Sequence, residues 1–199
     1  MSIPCAPFPH VGDSPHVGDS AADPGDLWVF GYGSLMWRPG FDHEESQPAL
    51  LRGYRRALCV LSHHHRGTRE RPGLVLGLDR GGSCRGVAFR VAASVREETI
   101  AYLRSREQIN MVYAELHRPV ILADERRVEA LTYVVDRGHT QYAGRLPREE
   151  LRRLVMQGLG VSGPNPDYVR NTHALLTAMG VSDPTLAWLD AELGEAPAG

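Results

Sequence analysis

Short apolar runs, several of them alternating with polar residues, predict β-strands through the first two thirds of the chain. Residues 27–30 are apolar or aromatic and the run stops at Gly31. Residues 57–61 are an apolar run within a second predicted strand, residues 52–61, which leads toward three consecutive histidines. Bounded runs of this length and composition are typical of strands. We therefore expect the folded part of the chain to begin with a strand near Asp26.

Two hairpins are predicted further along. Each consists of two apolar runs on either side of turn-forming residues, the first over residues 74–91 and the second over residues 119–135. In the first, Val87, Phe89 and Val91 alternate with other residues and so share one face of a strand. That pattern indicates strands with one buried face.

Helical patterns lie between the hairpins and after them. Ser94 followed by Glu97 is a capping-box signature, and the next residues favour a helix to about Arg106, which leaves Glu107 at or just past the helix end. Three more helices are predicted to begin at Pro147, Asn165 and Pro184. One helix between hairpins, with further helices at the C-terminal end, indicates the α+β class rather than a repeated βαβ unit.

Residues 1–26 differ in composition from the rest of the chain. They are rich in Pro, Gly, Asp, Ser and Ala and contain the tandem repeat PHVGDS at 9–14 and 15–20. Such a segment has too few apolar residues to bury, so we expect a disordered, low-complexity tail. The expected organisation is this tail followed by one domain over residues 27–195.

Charge and cysteine content restrict the class of partner. The 199 residues include 22 Lys and Arg against 24 Asp and Glu, a net charge of -2. We therefore expect no general attraction to nucleic acid or to a membrane surface, and a small-molecule partner instead. Three cysteines without C-x-x-C spacing favour neither a disulfide framework nor a thiolate zinc site.

With no signal-peptide pattern and no membrane-spanning apolar run, a cytoplasmic location is the expectation.

The most informative local feature is the segment from Val29 to Leu35. A strand leads into Gly31 and Gly33, which bracket a tyrosine, and Ser34 follows. Glycines allow a sharp turn and close approach to a ligand, and successive backbone N–H groups can bind an anion. By spacing alone the segment is either a plain turn or an anion cradle. It does not fit the dinucleotide-binding fingerprint, because no further glycine follows Gly33 at the required spacing, and Trp37 and Arg38 come next in place of a helix start.

Other reactive side chains are weaker candidates. Residues 63–65 are all histidine and His43 could join them at a metal, but consecutive strand residues point to opposite faces and no H-E-x-x-H spacing occurs. We expect a polar loop there. Cys59 is interpreted as a small buried hydrophobe and Cys84 as an exposed thiol with no base beside it. Positive charge is concentrated around one loop, at Arg55, Arg56, Arg66, Arg69 and Arg71.

The run WVFGYGSLMWRPGF at residues 28–41 resembles the opening motif of the ChaC family, the glutathione-specific branch of the γ-glutamylcyclotransferases. Similar stretches recur at residues 53–56, 71–75, 86–90, 103–107 and 163–172. Together they span nearly all of residues 27–181 and are far more specific than one G-x-G pattern. Arg85 departs from the aromatic residue of some relatives, which leaves the fine specificity open.

The resemblance implies a small mixed β-barrel with flanking helices, the γ-glutamylcyclotransferase-like fold. It implies a lyase with no metal or cofactor, which converts glutathione to 5-oxoproline and Cys-Gly. Glu107, in the motif from Leu103 to Glu107, would be the general acid/base. The implied substrate-binding residues are Val29, Phe30, Gly31, Tyr32, Gly33, Ser34, Leu35 and, by a looser match, Tyr142.

This chemistry needs a carboxylate but no enzyme nucleophile. The α-amine of the substrate attacks its own γ-carbonyl, so a base must first take a proton from the α-ammonium group, and the departing amine must gain one. One carboxyl group can do both, which typically accelerates a reaction about 10²–10⁴-fold. A helix C-terminus and burial beside Ile109 and Met111 would raise the pKa of Glu107, whereas Arg106 would oppose this if it turned inward.

Two alternatives remain at this stage. The chain could act on other γ-glutamyl amines or peptides by the same chemistry, or it could be a non-catalytic binding or regulatory protein on the same scaffold. Glu107 and the intact glycine-rich segment favour an enzyme.

Overall fold

The computed structural model describes residues 25–107 and 111–194, with only the backbone of Glu107. These residues form two compact units. The first contains the described residues up to Arg56 and those from Leu78 to Val134, and the second contains Ala57–Gly77 and the described residues from Val135 onward. The predicted tail lies almost wholly outside the described residues. The limits of the single predicted domain stay a prediction.

A closed barrel of mixed strands organises the fold. Its strands are β1 (Leu27–Gly31), β2 (Glu45–Ser62), β3 (Gly73–Val91), β4 (Tyr113–Leu122) and β5 (Arg127–Val135). They close in the order β1-β3-β2-β4-β5. β1 runs antiparallel to β3, with Val29 opposite Phe89, and parallel to β5, with Trp28 opposite Ala130. The predicted mixed barrel in the α+β class is confirmed.

Helix α1 (Arg96–Glu107) packs on the first unit through its apolar face. Ile100 and Leu103 join Val29, Leu35 and Leu131 in one buried cluster. Burying a large apolar side chain stabilises a fold by about 1.5–3 kcal/mol, so this face fixes the helix on the sheet. The position of Glu107 at the helix end is confirmed.

The start of α1 differs from the prediction. Ser94 lies within a 3₁₀ turn, Ala93–Val95, and makes no capping hydrogen bond there. The Asp26 carboxylate instead accepts a hydrogen bond from the backbone N–H of Ala93 at 3.2 Å. A carboxylate far away in sequence therefore supports this turn, and the local pattern could not indicate it.

The first predicted hairpin is wrong, because β3 is one continuous strand over its 19 residues. Gly81 and Gly82 have φ values of +96° and +76°, which suit glycine, yet the chain stays extended through them. Arg55 of the neighbouring strand β2 bonds to the Asp79 carboxylate and donates to the Arg80 carbonyl at 2.5 Å. Contact with a neighbouring strand therefore overrides the local turn signal.

The second hairpin is confirmed. β4 and β5 are neighbours in the barrel, and the N–H of Leu122 donates to the Arg126 carbonyl at 2.9 Å across the connecting turn. Glu125 occupies the left-handed region of this turn, with φ of +70°. β4 begins at Tyr113, earlier than the predicted residue 119.

A charge network lies at the end of the barrel where β1 begins. We name it the end network, and it consists of Asp26, Glu44, Glu45, Gln47, Arg90, Asp124 and Arg126. Arg90 donates to Asp26 at 2.9 Å and to Glu45 at 3.1 Å, and Arg126 bonds to Glu45 and to Asp124. Arg126 also lies over the ring of Trp28, 5.6 Å from its centroid. Carboxylates and guanidinium groups are thus interleaved at this end.

The second unit is mainly helical. Besides the end of β2 and the start of β3, it contains α2 (Arg148–Gln157), β6 (Leu159–Gly160), β7 (Gly163–Pro164), α3 (Asn165–Ala178) and α4 (Pro184–Gly194). α3 packs against both α2 and α4. Asn165 is fully buried and bonds twice to the backbone of Leu74, accepting from its N–H at 2.6 Å and donating to its carbonyl at 2.9 Å. The three predicted C-terminal helices are confirmed.

No helix in the described part of the chain has the length and apolar character needed to cross a membrane.

Candidate active site

The glycine-rich segment forms a tight turn after β1. The chain leaves the strand at Gly31 and enters a 3₁₀ turn, Ser34–Met36, in which the N–H of Met36 donates to the Gly33 carbonyl at 2.9 Å. The N–H of Arg38 donates to the Ser34 carbonyl, also at 2.9 Å. The first N–H groups of a helical turn have no acceptor inside that turn, so a bound anion can supply one.

Close packing explains two of the glycines. A Cβ on Gly31 would lie 3.0 Å from the Cβ of Leu35. A Cβ on Gly86, in the adjacent strand β3, would run into the Gly31 carbonyl and lie 2.7 Å from Cζ of Phe30. β3 can therefore approach the turn only because position 86 has no side chain.

Most of the implied substrate-binding residues point into the protein. Val29 and Phe30 have 0% exposure and Leu35 has 5%. Tyr32 is also buried, whereas Ser34 is half-buried. Val29, Phe30 and Leu35 therefore belong to the buried core beneath the turn. The role of this segment in binding stays a prediction, and Ser34 is its most accessible side chain.

Sequence reasoning considered Arg106 only as a charge beside Glu107 and missed its contact with the glycine-rich turn. Arg106 precedes Glu107 at the end of α1, and its Nη2 donates to the Ser34 hydroxyl at 2.9 Å. Its Nη1 donates to the Arg38 carbonyl at 2.6 Å and to the Tyr102 hydroxyl at 3.1 Å. The last turn of α1 is thereby attached to the glycine-rich turn. The adjacent pair Arg106 and Glu107 in the sequence motif was the only signal of this contact.

A second arginine holds the same turn. Arg56 of β2 donates from Nε to the Tyr32 carbonyl at 2.7 Å and from Nη2 to the Arg85 carbonyl at 2.6 Å. Arg55, its neighbour in sequence, bonds to Asp79 instead. The predicted arginine cluster therefore contributes Arg56 to this turn, and we name Arg56 and Arg106 the turn arginines.

Other acidic residues of α1 and β4 are weak candidates for proton transfer. Glu115 accepts two hydrogen bonds from Arg104, at 2.8 and 2.9 Å, and one from the Tyr133 hydroxyl at 3.1 Å. The hydrogen bonds from Arg104 and Tyr133 outweigh burial and hold the pKa of Glu115 below its ordinary value of 4.5. A carboxylate kept ionised in this way does not exchange protons readily near neutral pH. Glu97 and Glu98 lie exposed in the first turn of α1.

The remaining candidates belong to other parts of the fold. Tyr142 lies in the second unit, where its N–H donates to the His139 carbonyl at 2.9 Å, and its binding role stays a prediction. Among the described residues no group of three or more His, Cys, Asp or Glu is arranged to hold a metal ion.

The burial of Cys59 is confirmed. The exposure expected for Cys84 is wrong, since it is 2% exposed within the continuous strand β3.

Comparison with known proteins identifies the family. A model of the family described as ChaC-like protein matches residues 27–196. The chain belongs to the ChaC-like family. It is 34% identical to the glutathione-specific gamma-glutamylcyclotransferase of Escherichia coli (strain K12), over 81% of this chain and 70% of that protein. It is 33% identical to the glutathione-specific gamma-glutamylcyclotransferase 1 of Danio rerio, over 88% of this chain and 92% of that protein.

A solved structure shows the fold of this ChaC-like chain in a relative. The crystal structure of a gamma glutamyl cyclotransferase specific to glutathione from yeast superposes with a TM-score of 0.78 and 21% sequence identity. The alignment covers 85% of this chain and 96% of the yeast protein. The predicted family and fold are therefore both confirmed.

Proposed function

We propose that this ChaC-like chain is a γ-glutamylcyclotransferase, a lyase that cleaves glutathione to 5-oxoproline and Cys-Gly. The relatives named for this activity support the substrate class. The observation that carries the proposal is the hydrogen bond of 2.9 Å from Arg106 to Ser34. It attaches the residue before Glu107 to the turn proposed to bind the glutamyl group, which supports the proposal that acid/base and binding groups act in one region.

In the proposed reaction the turn holds the glutamyl chain folded. Backbone N–H groups at the turn and the Ser34 hydroxyl act as donors to anionic oxygen on the substrate. The α-amine then lies against the γ-carbonyl carbon, and such a near-attack geometry can lower the barrier by about 7–11 kcal/mol. The protein supplies no nucleophile, because both reacting groups belong to the substrate.

Glu107 carries the protons in this proposal. It takes one proton from the α-ammonium group, and the resulting amine forms a bond to the γ-carbon. The carbonyl opens to an oxyanion as this bond forms, and Glu107 gives its proton to the cysteinyl nitrogen. The bond from the γ-carbon to that nitrogen breaks as the oxyanion re-forms the carbonyl, and Glu107 then passes the surplus proton of the ring nitrogen to the released amine. The products are 5-oxoproline and Cys-Gly, with no net gain or loss of protons by the enzyme. The cytoplasm, where the glutathione pool is kept reduced, is the proposed compartment.

Substrate choice tests the proposal directly. The purified full chain is incubated with glutathione, γ-glutamyl-alanine and γ-glutamyl-lysine without added metal, and 5-oxoproline is measured for each. We expect 5-oxoproline and Cys-Gly in equal amounts from glutathione, and slower release from the other two. Faster release from γ-glutamyl-lysine would reassign the enzyme to γ-glutamyl amines. Binding of glutathione without any release would instead make the chain a binding protein.

A further inference from the structure

The side chain of Arg106 connects the end of α1 to the glycine-rich turn. We infer that Arg106 is a positioning residue, which orients the Ser34 hydroxyl so that its hydrogen is presented to an anionic oxygen of the substrate. This inference rests on the proposed function and adds to it a residue that acts through Ser34 rather than on the substrate directly.

The guanidinium group of Arg106 is held on both of its terminal nitrogens. Nη1 donates to the Arg38 carbonyl at 2.6 Å and to the Tyr102 hydroxyl at 3.1 Å, while Nη2 donates to Ser34 Oγ at 2.9 Å. Tyr102 lies one turn earlier on α1 and packs edge-on against Phe41, with ring centroids 6.4 Å apart. Because a guanidinium is planar and rigid, these anchors fix the direction from which it reaches Ser34.

The direction of this hydrogen bond determines whether the Ser34 hydroxyl can donate a hydrogen bond of its own. A serine hydroxyl has one hydrogen to donate and two lone pairs to accept, whereas arginine only donates. Ser34 Oγ is therefore the acceptor, which leaves its own hydrogen for a different acceptor. Within the described residues no hydrogen bond donated by the Ser34 hydroxyl is present. Accepting from a cation also strengthens the hydroxyl as a donor.

Anionic oxygen is the ligand chemistry that suits such a donor. A γ-glutamyl substrate offers it in two forms, the α-carboxylate that is present throughout and the oxyanion that develops at the γ-carbonyl. A donor to the carboxylate contributes equally before and during reaction and therefore changes KM. A donor to the oxyanion contributes only in the transition state and therefore changes kcat.

A double-mutant cycle tests the coupling. Ser34→Ala, Arg106→Gln and the double variant are compared with wild type for turnover of glutathione and for glutathione binding by calorimetry. We expect each single variant to lose about 10- to 100-fold in kcat/KM, the range for one charge-assisted hydrogen bond. If Arg106 acts through Ser34, the double variant should match the single variants within about twofold instead of losing the product of both effects.

Two further variants separate positioning from general damage. Arg104 lies on the same helix but bonds to Glu115 and not to the turn. Arg104→Gln should therefore keep wild-type kcat/KM. Arg106→Lys retains a charged donor without the planar fork, and its activity should lie between those of Arg106→Gln and wild type. If Arg106→Gln does not fold, as judged by circular dichroism, the Ser34→Ala and Arg106→Lys double-mutant cycle replaces it.

The outcomes distinguish this inference from the proposed function. Wild-type protein that releases no 5-oxoproline would refute the proposed function, and the same cycle measured by binding would still test the coupling. If the wild type is active, two results would overturn the inference while leaving the proposed function intact. One is a double variant whose loss is the product of the single losses, and the other is wild-type kinetics in Arg106→Gln. A loss confined to KM would assign the α-carboxylate as the partner of Ser34, and a loss confined to kcat would assign the oxyanion.

Discussion

The two ends of β1 use arginine in opposite ways. At the end network, Arg90 and Arg126 bond to carboxylates and lie among interleaved charges. At the other end, the turn arginines Arg56 and Arg106 donate to backbone carbonyls and to the Ser34 and Tyr102 hydroxyls. An arginine that bonds to carboxylates neutralises their negative charge. An arginine that donates to neutral oxygens holds the backbone in place and brings positive charge to it. The first arrangement suits stability and the second suits recognition of an anion.

The largest expected effect comes from removing the carboxylate of Glu107, the proposed acid/base. Glu107→Gln keeps the shape of the side chain but removes proton exchange, so kcat for glutathione should fall about 10²–10⁴-fold with the free energy of unfolding unchanged. 5-oxoproline release and urea denaturation measure the two quantities. Glu98→Gln, an exposed change in the first turn of the same helix, is the matched control and should be fully active. Near-wild-type turnover in Glu107→Gln would remove Glu107 from the mechanism.

The second prediction exchanges one arginine from each end for methionine. Arg90→Met leaves Asp26 and Glu45 without a shared partner and should lower the free energy of unfolding by about 1–3 kcal/mol with little change in kcat/KM. Arg56→Met should do the reverse, lowering kcat/KM about tenfold through a displaced Tyr32 carbonyl while changing stability less. Denaturant titration and steady-state kinetics on both variants check this. The contrast would be refuted by equal effects of both variants on activity.

The third prediction concerns acid stability. Burial raises the pKa of Glu45, but hydrogen bonds from Gln47, Arg126 and Arg90 outweigh it and hold that pKa below 4.5. In Asp124, burial is likewise outweighed by hydrogen bonds from Arg126 and Gln47, and the pKa lies below 3.8. A lowered folded-state pKa stabilises the fold above the unfolded-state value, and this stabilisation is lost as pH falls through the folded-state value.

The free energy of unfolding should therefore decrease as the pH falls below about 4.5, and Glu45→Gln should make that decrease shallower. Denaturant titrations between pH 3 and pH 6 measure the slope. Glu129→Gln, an exposed change on β5, is the control and should keep the wild-type slope. A Glu45→Gln variant with the wild-type slope would show that the end network does not set acid stability.

The smallest expected effect lies in the turn of the end network. Glu125 adopts φ of +70°, a conformation that costs a non-glycine residue about 1–2 kcal/mol, whereas asparagine tolerates it better. Glu125→Asn should raise the free energy of unfolding by about 0.5 kcal/mol and leave kcat/KM unchanged. Thermal unfolding is a sufficient measure. Glu129→Asn, in a strand, should bring no such gain, and a gain of the same size there would exclude backbone strain as the cause.

Local patterns in the sequence were sufficient where neighbours along the chain determine the structure. β1, the end of α1 at Glu107 and the starts of the three C-terminal helices follow from apolar runs, proline and caps within a few residues. The continuous strand β3 could not be predicted from local patterns, because at Gly81 it contacts Arg55 of another strand. The exposure expected for Cys84 failed for the same reason.

The site was only partly predictable for a similar reason. Family resemblance indicated Glu107 and the glycine-rich turn, but not how the two regions are attached. The bond from Arg106 to Ser34 joins residues 72 positions apart. No spacing rule connects such residues, because their proximity results from barrel closure and the packing of α1. The family resemblance indicated the proposed acid/base and the turn, and the fold added Arg106, which bonds to Ser34 of that turn.

Closure of the barrel also limits when the protein can fold during synthesis. β1 completes the barrel by pairing with β5, and Phe30 and Thr132, which bond across these strands, are 102 positions apart. At a translation rate of about 5–20 residues per second, the ribosome needs roughly 5–20 s to make the intervening chain. During that time the segment Leu27–Gly31 can pair with β3, which is made earlier, but its edge toward β5 stays unpaired. Newly made chains therefore expose one open strand edge for seconds, and slower elongation before β5 would lengthen that exposure.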